Sequence, residues 1–159
     1  MRRLILIAAL LGILAACLGA CSGGEKTLTF SHPATPTPVY VDLGDPGPSA
    51  GDIRTFSFSA PGPNNQTVQM DAVMITTGIV AGSTDEYRDM RITFTFGNPA
   101  DQLILQGVAV YPGEGSVLKP ATTVSRSLIG GSGAYAGATG WCDSTHNANG
   151  TWTHVFHLR

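Results

Sequence analysis

An aspartate in the middle of an apolar stretch is the side chain in this sequence best suited to acid–base chemistry. Asp71 interrupts the segment TVQMDAVMITT, residues 67–77. An ionised carboxylate is costly in an apolar setting unless it is paired, so such a group can carry a raised pKa and act as a general acid or base. The alternative, which we favour, is an outward-facing residue or a partner for Arg54 or Arg91. The catalytic residues therefore stay unassigned, with Asp71 as the one candidate.

Aromatic and acidic side chains supply the candidates for a ligand pocket. Aromatic walls with a polar edge suit apolar ligands, but Tyr87, Trp141 and Trp152 fit equally well in a subunit interface or in ordinary packing. Asp42 and Asp52 flank a Gly/Pro turn, where bonding of turn amides is their more common role. The pocket candidates are Asp42, Asp71, Tyr87, Tyr135, Trp141 and Trp152.

The histidines do not form a metal-binding pattern. His154 and His157 are three residues apart in a predicted strand, which places them on opposite faces. His146 could approach one of them, but this spacing is weak evidence for a metal site. The sequence also lacks a phosphate-binding loop and an HExxH motif. We expect neither a metal nor a cofactor.

Composition and charge exclude two classes of protein. The chain has 159 residues, of which 43% are hydrophobic and 13% charged, and its formal net charge is −2. A disordered charged tail would combine high net charge with few apolar residues. A nucleic-acid binder would need a basic patch, whereas Lys26 and Lys119 are the only lysines. We expect one globular domain and no nucleic-acid partner.

The amino terminus has the organisation of a bacterial lipoprotein signal. Arg2 and Arg3 precede an apolar run of thirteen residues, 4–16, which is shorter than the roughly 20 that a membrane-spanning helix needs. The run leads into LGAC and then SGG, which resembles a lipobox with a flexible tether and predicts lipid attachment at Cys21. LAAC is a second acceptable lipobox that would place the lipid on Cys17. Cys21 is preferred because the apolar run is then complete and the glycines follow directly.

These features predict a three-part organisation: a signal peptide at residues 1–20, a lipidated cysteine and tether at 21–26, and a barrel domain at 27–159. The predicted location is extracytoplasmic, with the lipidated cysteine anchoring the protein to the bacterial cell membrane. If Cys17 is removed and Cys21 carries lipid, Cys142 is expected to be a small buried apolar residue. The alternative is a plain secretory signal, with Cys21 an ordinary thiol that could pair with Cys142.

Alternation of polar and apolar residues with period two predicts an all-β fold. Gly- and Pro-containing turn signals separate the segments, and no helical period longer than about two turns follows the signal. Both a sandwich and a closed antiparallel barrel would protect the sheet edges. Two short strands fit residues 27–31 and 39–43, and seven more are predicted at residues 53–59, 67–77, 88–96, 103–110, 122–129, 139–145 and 151–158.

Two stretches resemble one family. Residues 41–56, VDLGDPGPSAGDIRTF, look like the opening of bacterial allene oxide cyclase barrel-like proteins. Residues 128–140, LIGGSGAYAGATG, are similar to the Gly-Gly-Thr-Gly-x-Tyr/Phe-x-x-Ala-x-Gly signature that this family shares with plant dirigent proteins. Residues 101–107 and 151–159 resemble two further strands of the family. The resemblance implies an eight-stranded antiparallel barrel of the allene oxide cyclase-like, calycin type, often trimeric, with an internal small-molecule cavity.

The resemblance also implies a kind of chemistry. Members of the family hold a reactive, largely apolar intermediate and steer its ring closure or coupling without a cofactor, because confinement fixes a near-attack geometry. No catalytic residue is carried over, since the cavity carboxylates and amides of plant allene oxide cyclases have no counterpart here. The expectation is an anchored barrel that binds an apolar small molecule, with cofactor-free cyclisation or isomerisation as the fitting reaction.

Two alternatives stay open beside this function. One is a non-catalytic carrier that kept the barrel, and the other is a structural lipoprotein of the cell envelope. The structural protein would have no room for a ligand, because aromatic side chains would fill the barrel, namely Phe56, Phe58, Phe94, Phe96 and Phe156.

Overall fold

A single antiparallel β-sheet contains all nine strands of the described residues. The computed structural model describes residues 24–113 and 117–159, so the predicted signal peptide, Cys17 and Cys21 lie outside the described residues. The strands are β1 (Lys26–His32), β2 (Val39–Val41), β3 (Ile53–Pro61), β4 (Thr67–Ile79), β5 (Glu86–Phe96), β6 (Gln102–Tyr111), β7 (Thr122–Ser132), β8 (Gly140–His146) and β9 (Trp152–Leu158).

Helical structure within these two ranges is limited to two single 3₁₀ turns. They lie at Pro63–Asn65, between β3 and β4, and at Gly133–Tyr135, between β7 and β8. No helix in the described ranges has the length and apolar character needed to cross a membrane. The predicted all-β class is therefore confirmed for the described residues.

The sheet follows chain order except at its first strand. The order is β1-β9-β8-β7-β6-β5-β4-β3-β2, and every neighbouring pair is antiparallel. The sheet curls into a half-barrel whose ends approach each other, since the rings of His32 in β1 and Phe58 in β3 are 5.3 Å apart. The predicted antiparallel barrel is confirmed, with nine strands where the resemblance implied eight. The three-residue β2 extends the edge beyond β3.

Alternation along the strands separates an interior from an exterior. In β4, Val68, Met70, Ala72 and Met74 are buried, whereas the side chains between them are exposed or half-buried. The same alternation buries every second residue of β5 from Glu86 to Phe96. Because successive residues of a strand face opposite sides, the curled sheet places one set of each strand in a shared core.

Aromatic rings fill one part of this core. Phe30, Phe94, Phe96 and Phe156 pack with ring centroids 5.1–6.5 Å apart, mostly edge to face. Such aromatic contacts add to the free energy gained by burying the rings themselves. Phe56 and Phe58 do not join this cluster, so the predicted aromatic filling of the barrel covers only part of its interior.

A buried network of charged side chains occupies another part of the core. Glu86 Oε2 accepts hydrogen bonds from Thr76 Oγ1 at 2.6 Å, Arg88 Nε at 3.0 Å and Arg54 Nη1 at 3.2 Å. Burial alone would raise the pKa of Glu86, but the bonds from Arg88 and Thr76 and the two positive charges lower it. Glu86 is therefore ionised and links β3, β4 and β5 from inside the sheet.

A second carboxylate, Asp52, fixes the turn that precedes β3. Its oxygens accept hydrogen bonds from Tyr40 Oη at 2.8 Å, Leu43 N at 3.0 Å, Ser49 N at 2.8 Å and Ser49 Oγ at 3.2 Å. Burial alone would raise the pKa of Asp52, but these bonds lower it to about 2. The Tyr40 ring in turn lies 4.5 Å from the Arg54 guanidinium. The turn and the buried network are thus connected.

We expect Glu86→Gln to lower the free energy of unfolding by about 3–5 kcal/mol, because removing one partner of a buried ion pair leaves the other charge uncompensated. Both Nη groups of Arg54 contact this carboxylate. The matched control is Asp85→Asn at the preceding position. Asp85 makes an exposed ion pair with Lys119 at 3.4 Å, which is worth about 1 kcal/mol or less. Urea unfolding of both variants measures the difference, and equal losses would contradict a stabilising role for the buried network.

Candidate functional site

A cavity lies inside the barrel, beside the aromatic cluster. One side of its wall is apolar and includes Phe56, Phe58, Met70, Met74 and Met90. The cavity volume is about 40 Å³, and the free space among the lining side chains reaches about 490 Å³ when open solvent at the cavity is included. The smaller volume holds a few water molecules, since one needs roughly 10–15 Å³. Methionine side chains are flexible, so this wall can reshape around a ligand.

The opposite side of the cavity carries polar groups from four strands. His32 is contributed by β1, Arg126 by β7, Ser144 by β8 and His154 by β9. All four are buried among apolar neighbours on the inner face. The cavity therefore combines an apolar wall with one polar wall, an arrangement typical of small-molecule sites.

A chain of hydrogen bonds joins three of these side chains. His32 Nδ1 is 2.6 Å from the carbonyl oxygen of Pro33, His32 Nε2 is 3.0 Å from His154 Nε2, and His154 Nδ1 is 3.0 Å from Ser144 Oγ. The carbonyl can only accept, so Nδ1 of a neutral His32 donates and its Nε2 accepts. His154 then donates from Nε2, and its Nδ1 accepts the Ser144 hydroxyl proton. The geometry thus assigns one tautomer to each ring.

Both histidines are neutral at physiological pH. Burial lowers the pKa of His154 to about 3, and repulsion by a protonated His32 and by Arg126 acts in the same direction. Burial also lowers the pKa of His32, although its bond to the Pro33 carbonyl opposes this shift. A base with so low a pKa does not retain a proton at neutral pH. All four ring nitrogens are engaged in this chain of hydrogen bonds, so the pair is poorly suited to removing a proton, while the Ser144 oxygen keeps lone pairs that can accept a hydrogen bond from a bound group.

Arg126 forms the remaining part of the polar wall. Its Nη2 donates to Tyr111 Oη at 2.8 Å, and Tyr111 Oη donates to Met90 Sδ at 3.5 Å. Burial raises the pKa of Tyr111, although the charges of Arg126 and Arg88 oppose the shift, so the phenol is neutral. Within the described ranges, Arg126 makes no ion pair, and its buried Nε has no hydrogen-bond partner.

One of the six predicted pocket residues, Trp152, lines this cavity. Asp71 is exposed on the outer face of β4, because strand alternation turns it away from Met70 and Ala72, and it accepts a hydrogen bond from Ser57 Oγ at 2.6 Å. Asp42 is also exposed and accepts from the Gly47 amide at 3.2 Å.

The three other predicted residues also lie away from the cavity lining. Tyr87 is exposed on the outer face of β5. Trp141 stacks on His157, with ring centroids 4.4 Å apart, and these two residues point away from the buried Cys142 and His154. Tyr135 is half-buried and packs on Phe96 at 5.0 Å.

The polar wall was missed by sequence reasoning, although a signal for it exists. Arg126 stands between Val124 and Leu128 on the inner face of β7, and His154 stands between Trp152 and Phe156 on β9. A polar residue whose i±2 neighbours are apolar lies on the buried face. That rule also confirms that His154 and His157 face opposite sides, with His154 inside.

Metal and thiol chemistry find little support in this part of the molecule. The described ranges contain no group of three or more His, Cys, Asp or Glu side chains that could hold a metal ion. Cys142 is buried, and its burial raises the pKa of its thiol to about 12, so it is not a thiolate nucleophile. The prediction that Cys142 is a small buried residue is confirmed.

Comparison with solved structures shows the fold. A pyocyanin demethylase superposes with a TM-score of 0.64 at 16% identity, covering 84% of this chain and 100% of the other. The Diels-Alderase AbmU from Streptomyces koyangensis gives 0.56 at 16% identity, covering 96% of this chain and 79% of the other. A pterocarpan synthase dirigent protein gives 0.52 at 13% identity, covering 87% and 93%. No protein-family model matches the chain, and no curated protein is significantly similar to it in sequence.

We expect His154 to make the protein less stable as the pH falls. Its pKa is about 3 in the folded chain against an ordinary value of 6.5, so between these values only the unfolded chain binds the proton. Stability is then lost with falling pH at up to about 1.4 kcal/mol per unit for this residue. Urea unfolding between pH 7 and pH 5 should show a shallower decline for His154→Gln than for the wild type. Identical slopes would mean that His154 is not held neutral by burial.

Proposed function

We propose that this chain binds an apolar small molecule inside its barrel and steers the cyclisation or isomerisation of that molecule without a cofactor. The observation that carries the proposal is the internal cavity, with methionine and phenylalanine side chains on one wall and hydrogen-bonding groups of four strands on the other. The apolar wall favours an apolar body, and the polar wall favours one orientation of it.

The chemistry would rest on confinement more than on proton transfer. Holding the two reacting atoms of one molecule close together removes much of the entropic barrier to ring closure. The neutral histidines hold the Ser144 hydroxyl in place, and its oxygen offers a fixed acceptor whose hydrogen bonds are stronger in an apolar interior than in water. Because the pKa of His154 is about 3, the histidine pair would fix the position of Ser144 without taking up a proton.

The structural neighbours support this class of function by analogy. By their names, one acts on pyocyanin, one is a Diels-Alderase and one is a dirigent protein of pterocarpan synthesis. The shared fold is thus compatible with chemistry on small organic molecules. Function depends on the site and not on the fold, so the argument for this chain rests on its own cavity.

A non-catalytic carrier is the second candidate, and one observation favours it. Burial disfavours the protonated form of both histidines that line the cavity and lowers the pKa of His154 to about 3, so the pair offers no acid for catalysis. A carrier needs only an apolar wall and an orienting contact. The two candidates differ in turnover, not in binding.

The protein is further proposed to assemble as a homotrimer. The outer face of β5 and β6 exposes Tyr87, Val108 and Val110, and Tyr87 lies opposite Val110 across the two strands. An exposed apolar patch of this kind is typical of a subunit interface.

We expect the wild-type protein, purified from its native cells and examined by native mass spectrometry, to retain a small apolar molecule. Met74→Phe narrows the cavity and should abolish retention. Ile75→Phe is the matched control, because it adds the same ring at the next position on the outer face. The same spectra report the number of subunits.

Turnover of the retained molecule then separates catalyst from carrier. Ser144→Ala removes the hydroxyl that donates to His154 and should slow a catalysed ring closure while the molecule still binds. Wild-type protein without any bound molecule would contradict the proposed function. A retained molecule that is never converted would favour the carrier.

We also propose that the protein is extracytoplasmic and held to the bacterial cell membrane by a lipid on Cys21. The support is the LGAC-SGG sequence, together with the start of β1 at Lys26, a few residues beyond it. Cys21→Ser should move the protein from the membrane fraction to the soluble fraction of fractionated cells. Cys17→Ser should leave it membrane-bound, and the opposite result would assign the lipid to Cys17.

A further inference from the structure

The packing around Arg126 has the character of a built site. Arg126 lies in the middle of β7, and its aliphatic stem crosses β6 at Gly107. A Cβ at position 107 would lie 3.2 Å from Arg126 Cγ, which is closer than side-chain carbons normally approach. Gly107 therefore makes room for the arginine stem, and this close approach gives the QG pair of residues 106–107 a packing role.

The charge of Arg126 is not balanced within the described ranges. Arg126 is 4% exposed, and Tyr111 gives it one neutral acceptor, while its Nε stays unsatisfied. Arg54 is buried to a similar degree, but both of its Nη groups contact the carboxylate of Glu86. Burying a cation without a counter-charge is strongly unfavourable. Arg126 thus differs from Arg54 in lacking the partner that its burial calls for.

The position of Arg126 shows where such a partner would sit. Arg126 lines the cavity, and with both histidines neutral it is the one charged side chain among the described residues that do so. A guanidinium is planar, permanently charged and suited to oxygen anions. A ligand in the cavity would bring its own anion to this group.

We propose that the ligand of this cavity is an apolar molecule with an anionic oxygen, a carboxylate or a phenolate, that pairs with the guanidinium of Arg126. The proposal rests on the function proposed above and names the substrate class of that site. The anion accepts a hydrogen bond from Nε, and the apolar body lies against the phenylalanines and methionines opposite. Arg126 would fix which end of the molecule enters the barrel.

The test compares benzoate with benzamide, which have nearly the same shape and differ in charge. Isothermal titration of the full chain at pH 7 is expected to show benzoate binding about tenfold or more tightly than benzamide, as for a hydrogen bond to a charged group. Arg126→Met should remove this preference. Replacing a buried charge by an apolar side chain is compatible with folding, and circular dichroism checks it. Arg91→Met, on the exposed face of β5, is the control that should keep the preference.

Each outcome has a distinct meaning. Equal affinities for benzoate and benzamide in the wild type would overturn the anion site while leaving a ligand-binding cavity in place, and this result needs no variant. A preference for benzoate that survives in Arg126→Met would also overturn the assignment to this residue. Failure of both compounds to bind would overturn the anion site, and only absence of a retained molecule in the native spectra would extend that failure to the proposed function.

Discussion

Every second side chain of a strand faces the same side of the sheet. When the sheet curls on itself, one of the two sets of side chains is enclosed inside the barrel. The inner residues of the strands must share one small interior, whatever their chemistry. In this protein the interior is divided: a phenylalanine cluster fills one part, ion-paired side chains around Glu86 fill another, and a cavity lies beside the aromatic cluster. The position of the site follows from this division, since the cavity has apolar side chains on one side and polar groups on the other.

Two of the three buried arginines in the described ranges, Arg54 and Arg126, show how the balance of charge is set. Arg54 is held by a carboxylate of the same barrel, which makes it part of the scaffold. Arg126 donates a hydrogen bond to the Tyr111 hydroxyl, and its stem packs in the space that Gly107 leaves. These contacts fix the position of the side chain but do not neutralise its charge. Burial is the main reason that His154 stays neutral, and the charge of Arg126 adds to this effect because a second cation nearby would be repelled. Charge is thus concentrated on a single side chain of the cavity wall.

The strands could be predicted from sequence because alternation and turn residues are local signals. Most predicted boundaries lie within one or two residues of the observed ones, as for β5, which begins at Glu86 and not at Arg88. The phase of the alternation was harder to assign in β4, since its outer face also carries apolar residues such as Val73 and Ile75. Asp71 looked like a polar residue in an apolar strand for this reason. The histidine pair could not be foreseen, because its members are 122 positions apart and meet through the pairing of β1 with β9.

The position of β1 at the edge of the sheet determines how readily His32 leaves the cavity wall when this strand separates from β9. Within the described residues this strand is the first along the sequence and forms one edge of the sheet, and it pairs with β9 from Lys26 opposite Leu158 to His32 opposite Trp152. A force on the amino-terminal end of β1 would separate β1 from β9 one residue pair at a time, beginning at Lys26. His32 lies at the far end and would be released last. Thermal fraying or tension that starts at Lys26 must therefore break the six residue pairs from Lys26 to Ser31 before it releases His32 from β9.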